Sequence, residues 1–293
     1  MSIGTIDIGA DSRDARGTWL RELSLTARIS ACILAGFILV AITGPVWVPF
    51  DPLAVLVGGP FEPPSVAHLL GTDNLGRDLF SRVVIGSRAV LVMAVASTTL
   101  AVVSGTALGL ILAYKRGWLD EICMRLIDIL MSIPPLVLAL LLVSALNNSS
   151  ILVVLTVAFL FAPRVTRIVR AAALSIVTED YVTAAITRGE SSWSIAWREL
   201  LPNVIGTVAV EFAIRSGFAI VFIGALGFLG FGAPPPAPEW GLMINEGYTS
   251  INASFWPVLA PAGAMAVLVI SLNLFTEGLA RLTGQAGQKA RRE

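Results

Sequence analysis

Five long windows of this chain contain no Asp, Glu, Lys or Arg at all: residues 29–50, 89–114, 129–163, 216–238 and 247–276. A membrane-spanning helix needs roughly 20 mostly apolar residues, each rising about 1.5 Å. Every window meets that length, and the third is long enough for two spans with a turn between them. Charged residues make up only 14% of the chain, against about 25% in soluble domains. The sequence therefore specifies an all-α, polytopic membrane protein with six transmembrane helices.

The spans are expected at about 27–46, 88–114, 122–146, 151–172, 204–230 and 254–279, with "NNSS" (147–150) as the polar turn after the third. Six spans put both termini on one side, and the basic residues say which. One side collects sixteen of the 20 basic residues. These are Arg13, Arg16, Arg21 and Arg28 in the N-terminal tail, Lys115, Arg116 and Arg125 in the second-to-third connection, and Arg164, Arg167, Arg170, Arg188 and Arg198 in the fourth-to-fifth. Arg281, Lys289, Arg291 and Arg292 complete the set. Only Arg77, Arg82 and Arg88 fall on the other side, and Arg215 lies within a span. Cytoplasmic loops carry the excess of basic residues, so both termini are expected in the cytoplasm. Residues 1–87 then comprise a tail, the first span and an outer segment. Residues 88–283 form a five-helix core, and residues 284–293 a second tail. The first 28 residues lack the apolar core and cleavage site of a secretory signal peptide.

Several chemistries are excluded or disfavoured. The net charge is zero, which gives no reason to expect nucleic acid as a partner. His68 is the single histidine, expected as an ordinary loop residue, and no metal site is expected. Asp73, Asn74 and Asp78 lack the spacing of a calcium loop. Cys32 and Cys123 read as small buried hydrophobes. No Gly-x-x-x-x-Gly-Lys-Ser/Thr string occurs, so the chain has no phosphate-cradling loop.

The most informative polar stretch is "EDYVTAAITRGESSWSIAWRELLPN", residues 179–203. Connections between packed helices usually take 2–8 residues, and this cytoplasmic one is several times longer. Thr178 is placed to cap a helix whose first turn carries Glu179 and Asp180. Gly189 offers a turn just past its end. Ser191 or Ser192 can cap a second short helix on which Trp193 and Trp197 share a face. Pro202 is placed to open the fifth span. Two short helices with an apolar face describe a docking surface. An interfacial lipid-binding helix would carry a denser basic face than Arg188 and Arg198 provide.

Four blocks carry a resemblance. "TAAITRGESSWSIAWRELLP" resembles the cytoplasmic EAA loop of ABC-importer permeases, with Ala184, Ala185, Gly189, Leu201 and Pro202 at the required spacing and Thr183 where the pattern has Glu. "HLLGTDNLGRDLFSRVVIGSR" (68–88), "RLIDILMSIPPLVLALLLV" (125–143) and "LGFLGFGAPPPAPEWGLMI" (226–244) resemble the second membrane subunit of dipeptide, oligopeptide and nickel permeases. The resemblance runs from about residue 68 to 283. It implies the type I ABC-importer permease fold in a bacterial inner membrane, embedded in lipid. It also implies partners: a second homologous permease, two ATPase subunits that bind ATP and Mg, and a periplasmic or lipid-anchored solute-binding protein. On this reading the chain itself holds no cofactor and is no enzyme. Tyr181, Thr183, Ala184, Ala185, Gly189, Trp193, Trp197, Leu201 and Pro202 are the candidate ATPase-coupling residues. A secondary transporter or channel subunit is the alternative.

Four further expectations concern single features. Glu211 and Arg215, four apart within the fifth span, can form an intramembrane ion pair that is either structural or part of the pathway. Arg125 and Asp128 suggest an interfacial pair. Residues 71–82 suggest a Thr72-capped amphipathic helix on the outer surface. "GAPPPAPEWG" (232–241) cannot be a regular helix, and Trp240 is expected at the membrane interface.

Overall fold

The computed structural model describes residues 24–145 and 149–290. The N-terminal tail to residue 23, residues 146–148, which include the first half of the "NNSS" turn, and residues 291–293 lie outside the described residues. Five helices are long and apolar enough to cross a membrane: α1 (Leu25–Trp47), α2 (Leu79–Lys115), α5 (Ser150–Ile176), α7 (Ser192–Phe228) and α9 (Trp256–Ala290). The shorter helices are α3 (Trp118–Ser132), α4 (Pro135–Ala145), α6 (Asp180–Thr187) and α8 (Trp240–Tyr248).

The expected third span at 122–146 is not one straight helix. It is broken into α3 and α4, which meet at 90°. Two adjacent prolines explain the break. Pro134 has no N–H to continue α3 and forces the preceding residue out of the helical region; Ile133 is accordingly extended, with φ −82° and ψ 132°. Pro135 then opens α4, where a missing N–H is tolerated.

α2, α5 and α7 form the centre of the bundle, and α1 and α9 lie at its periphery. The α2–α5 seam is closest where α2 carries Gly105 and Gly109. A Cβ on either would stand 2.8 Å from an α5 carbonyl oxygen, of Ala162 and Thr166 respectively. Small residues four apart allow this backbone approach, which in lipid replaces the hydrophobic drive for helix association. α1 packs through Ala27, Ser30, Ala41 and Gly44. Cys32 is on its outer face and exposed, and Cys123 is half-buried, so neither is the buried hydrophobe expected. An apolar side chain facing lipid needs no burial in protein.

At one end of the bundle the chain between α1 and α2 folds into a compact cap. Residues 71–78 are not helical; Leu56 and Val57 pair with the carbonyls of Leu75 and Gly76, and Thr72 bridges Asp78. α2 begins only at Leu79, capped by Asp78, whose Oδ2 accepts from the Ser81 N–H at 2.8 Å. Thr72 is instead spent inside the cap: its hydroxyl donates to the Gly59 carbonyl at 2.6 Å. His68 is buried, with Nδ1 2.9 Å from Asp78 Oδ1, so it is a fixed part of the cap rather than a free loop residue. Arg82 and Arg88 lie on α2 itself, not in the preceding loop.

The cap is locked to α8 by charge. Arg77 Nε donates to Asp73 Oδ2 at 2.6 Å, and Arg77 and Arg82 both donate to Glu246 Oε2, at 2.7 and 3.1 Å. Both guanidinium groups are buried. The Pro-rich segment before α8 is non-helical, as expected. Trp240, however, is fully buried: its Nε1 donates to the Val83 carbonyl at 3.0 Å and its ring meets Phe37 edge-on. The loop folds α8 back onto the first turns of α2, which takes the indole into the core instead of the interface.

Glu239, just before α8, is buried as well. Its Oε2 accepts from the Ala233 N–H at 2.7 Å, while Oε1 has no partner. Burial pushes this carboxyl above its usual range. A carboxyl raised in the folded state contributes stability that is fully present below its unfolded value, about 4.3, and is lost as pH rises through its folded value. Glu239→Gln keeps the acceptor for Ala233 but cannot ionise. We expect it to lose less stability than wild type, by thermal unfolding in detergent, as pH rises above about 4.3. Parallel pH profiles would contradict this.

Candidate functional site

The opposite end of the bundle carries α6 and the first turns of α7. Glu179 supplies the N-cap position of α6 without a side-chain bond, so Thr178 does not cap it; the Thr178 hydroxyl donates to the Ser175 carbonyl instead. At its C-terminus the chain reverses through Gly189, at φ +76°, a region open to glycine at little cost. The Glu190 N–H bonds the Ala185 carbonyl at 3.2 Å and the Gly189 N–H bonds that of Ile186 at 2.9 Å. This pair of bonds is the Schellman arrangement, which satisfies carbonyls a helix end would otherwise leave open. Glu190 ties the turn together, accepting from Arg188 at 2.7 Å and from the Ser194 hydroxyl at 2.9 Å. The Arg188 contact, with that hydroxyl, holds the Glu190 carboxyl below its usual range. Ser191 caps the next helix, accepting from the Ser194 N–H at 3.2 Å.

Pro202 stands in the first turn of the regular α-helical stretch Leu201–Phe228, as expected, but the rod itself starts earlier. The helix runs without interruption from Ser192 to Phe228. Just before the proline, Ile195–Leu200 widens into a π turn, with the Leu201 N–H bonding the Ala196 carbonyl five residues back. Pro202 has no N–H to offer and its ring crowds the preceding turn, and the wider turn absorbs both demands. The second part of the polar stretch, from Ser192, and the span are thus one continuous rod.

The candidate coupling residues divide into two sets. Val182 and Ala185, on one face of α6, are fully buried with Ile195, Ala196 and Leu200 against Val165, Val169 and Ala173 of α5. Ala185 therefore anchors α6 to the bundle and is not a surface contact, because one face of a helix this short must pack inward for it to be held at all. Tyr181, Thr183, Ala184 and Pro202 are exposed, and Gly189 sits at the exposed turn. Trp193 is 60% exposed, whereas Trp197 and Leu201 are half-buried against the core. The two indole rings lie 5.2 Å apart, Trp197 supporting Trp193 from beneath. Ile186 also belongs to the exposed face, at 46%. Sequence reasoning missed it, because position 186 lies one turn beyond buried Val182 and only the packing of α6 on α5 leaves it outside. Tyr181, Ile186 and Trp193 are thus large apolar side chains left exposed among polar neighbours, and exposed apolar surface of this kind marks a protein contact.

Further along α7, Glu211 and Arg215 do pair: Arg215 Nε donates to Glu211 Oε2 at 3.1 Å, both side chains are buried, and the guanidinium carbon lies 5.4 Å from the centre of the Phe218 ring. Arg125 and Asp128 do not pair with each other. Arg125 pairs with Glu121 one turn back, and Asp128 with Arg167 of α5, so each has a competing partner of opposite charge within reach. No group of His, Cys, Asp and Glu suited to a metal occurs among the described residues.

Residues 105–285, which include the whole of α5 to α8, match the family described as the binding-protein-dependent transport system inner membrane component. The chain belongs to this family. It is an ABC-importer inner-membrane permease, a multi-pass protein of the bacterial inner membrane, and not a secondary transporter or channel. The permease is 37% identical over 218 residues to the glutathione transport system permease protein of Pectobacterium atrosepticum, a match covering 74% of this chain and 72% of the relative. It is 36% identical over 247 residues to the dipeptide transport system permease protein of Haemophilus influenzae, covering 82% and 84%. Against a probable D,D-dipeptide transport system permease protein of Escherichia coli it is 34% identical over 265 residues, covering 90% and 89%.

Proposed function

We propose that this permease imports a small peptide or peptide-like solute, with ATP hydrolysis carried out by separate subunits that dock on the exposed face of α6 and the start of α7. The continuity of α7 carries this reading. A push on Trp193 is delivered along one helix to Glu211 and Arg215, with no hinge loop between to absorb it. The substrate class rests on the relatives named for dipeptide and glutathione transport. Supporting the orientation, the docking end gathers Lys115, Arg116, Arg188 and Arg198, as cytoplasmic ends do; both termini are then cytoplasmic, and the cap between α1 and α2 faces outward toward a solute-binding protein. One chain supplies half a pathway, completed by a second homologous permease, and two ATPases bind the ATP and Mg. Glu211 and Arg215 line that pathway.

The test is reconstitution of the assembled importer in proteoliposomes with labelled dipeptide. Uptake is expected only with ATP on the side of the α6 surface and loaded binding protein on the other. Uptake driven by an ion gradient without ATP would overturn the reading.

A further inference from the structure

Three arginines of α5 stand at one-turn intervals: Arg164, Arg167 and Arg170. Two are matched by acids of α3. Arg170 is clasped by both carboxylate oxygens of Asp120, and Arg167 pairs with Asp128. The ladder ends there. Past Asp128, α3 offers no further acid before it breaks at Ile133 and Pro134, so Arg164 forms no ion pair or hydrogen bond among the described residues.

Arg164 instead faces a cavity of about 340 Å³ at the α3–α4 break, walled by Leu130, Leu138, Phe218 and Phe222 and shared with Arg215 of α7. That volume is at the lower end for small-molecule sites. Arg215 spends Nε on Glu211, and its two terminal nitrogens make no hydrogen bond among the described residues. Glu211 offsets only one of the two guanidinium groups that line the cavity, so one positive charge is left uncompensated. Cations on membrane-spanning helices are costly in lipid and are kept where something pairs with them. An apolar chamber with two unspent guanidinium forks is suited to a carboxylate, which a planar fork can bind through two parallel hydrogen bonds.

We propose that this chamber is a subsite on the translocation pathway for an anionic group of the solute, the terminal carboxylate of a peptide, with Arg164 as its principal contact. The inference rests on the reading of α7 as pathway lining.

Arg164 is exposed to the cavity, so Arg164→Gln disturbs no packing, and Arg164→Lys keeps the charge without the fork. The assembled importer is reconstituted with each, and uptake is compared for a dipeptide with a free C-terminus and for its C-terminal amide. The same binding protein serves every variant, so its own preference cancels. Arg164→Gln should lower uptake of the free acid about tenfold, the scale of one charge-assisted hydrogen bond, and leave the amide unchanged; Arg164→Lys should fall between. The preference should persist in purely zwitterionic liposomes; its loss there would mean the chamber holds an anionic lipid headgroup and would overturn the proposal. Equal loss for both peptides, or none for either, also overturns it. Leu138→Trp, which fills the chamber, separates the two levels. If it blocks uptake while Arg164→Gln shows no carboxylate preference, the pathway reading stands and the subsite fails. If it leaves uptake intact, the pathway reading fails too. Transport of neither peptide by the unmodified importer removes the peptide reading and this subsite with it.

Discussion

Ile186→Asp should cut ATP-dependent uptake at least tenfold while leaving the amount of permease in the membrane unchanged. The isoleucine is 46% exposed on α6, as Tyr181 and Trp193 are also exposed, and it is not part of the buried cluster that holds Val182 and Ala185. Folding therefore tolerates the change. A docking partner does not, because the carboxylate must lose its water against an apolar surface. Central contacts of this kind typically contribute about 2 kcal/mol or more, roughly 30-fold in association. A charge at Ala185 would test something else. That side chain is fully buried, so Ala185→Arg would dislodge α6 and destroy the surface instead of probing it. Normal uptake by Ile186→Asp, measured beside co-purification of the ATPase, would remove the exposed face of α6 from the coupling account.

The second large effect is on stability, at the other end of the molecule. Glu246→Ala should lower the free energy of unfolding of the detergent-solubilised protein by about 3–5 kcal/mol, the cost of leaving a buried charge without its partner. Arg77 and Arg82 are both buried, and with Glu246 gone only Asp73 faces them. Arg82 is already short of partners, since its Nε and Nη1 make no hydrogen bond. The released element is specific: α8 loses its charged tie to the cap and keeps only the Trp240 bond to α2, so proteolysis should cut first within the cap, residues 48–78. Glu246→Asp, which keeps the charge on a shorter stem, should be intermediate. A change below about 1 kcal/mol, the range of a surface pair, would mean that water already reaches the cluster.

These residues also show what a sequence discloses. The spans are legible because an absence of charge over 20 residues has one economical explanation, and the α6–α7 turn is legible because Gly189 and Ser191 act on their own neighbours. The pairing of Arg77 and Arg82 is hidden for the opposite reason. Counting basic residues by loop treats each as a free charge, whereas these two are neutralised by Glu246, which lies 169 and 164 residues away along the chain. The same distance hides the fate of Trp240, whose acceptor is the Val83 carbonyl. Hydropathy reads straight through Pro134 and Pro135 because both flanks are apolar, although the paired prolines were visible. Pro202 is half legible: it does stand in the first turn of the regular α-helix. A proline usually marks a helix start, but six residues of π helix let it sit inside one, and no local signal announces that geometry. At the candidate site, sequence found the turn and the tryptophans; which face of α6 points outward depended on α5.

The central claim is that the exposed face of α6 touches the ATP-hydrolysing subunit. It is tested most directly by placing a photo-crosslinking residue at Thr183, an exposed position outside the buried face, in the fully assembled importer. The account predicts a covalent adduct with the ATPase, with a yield that changes when ATP is added. An adduct with the solute-binding protein, or with lipid alone, would contradict both the coupling surface and the orientation drawn from the basic residues.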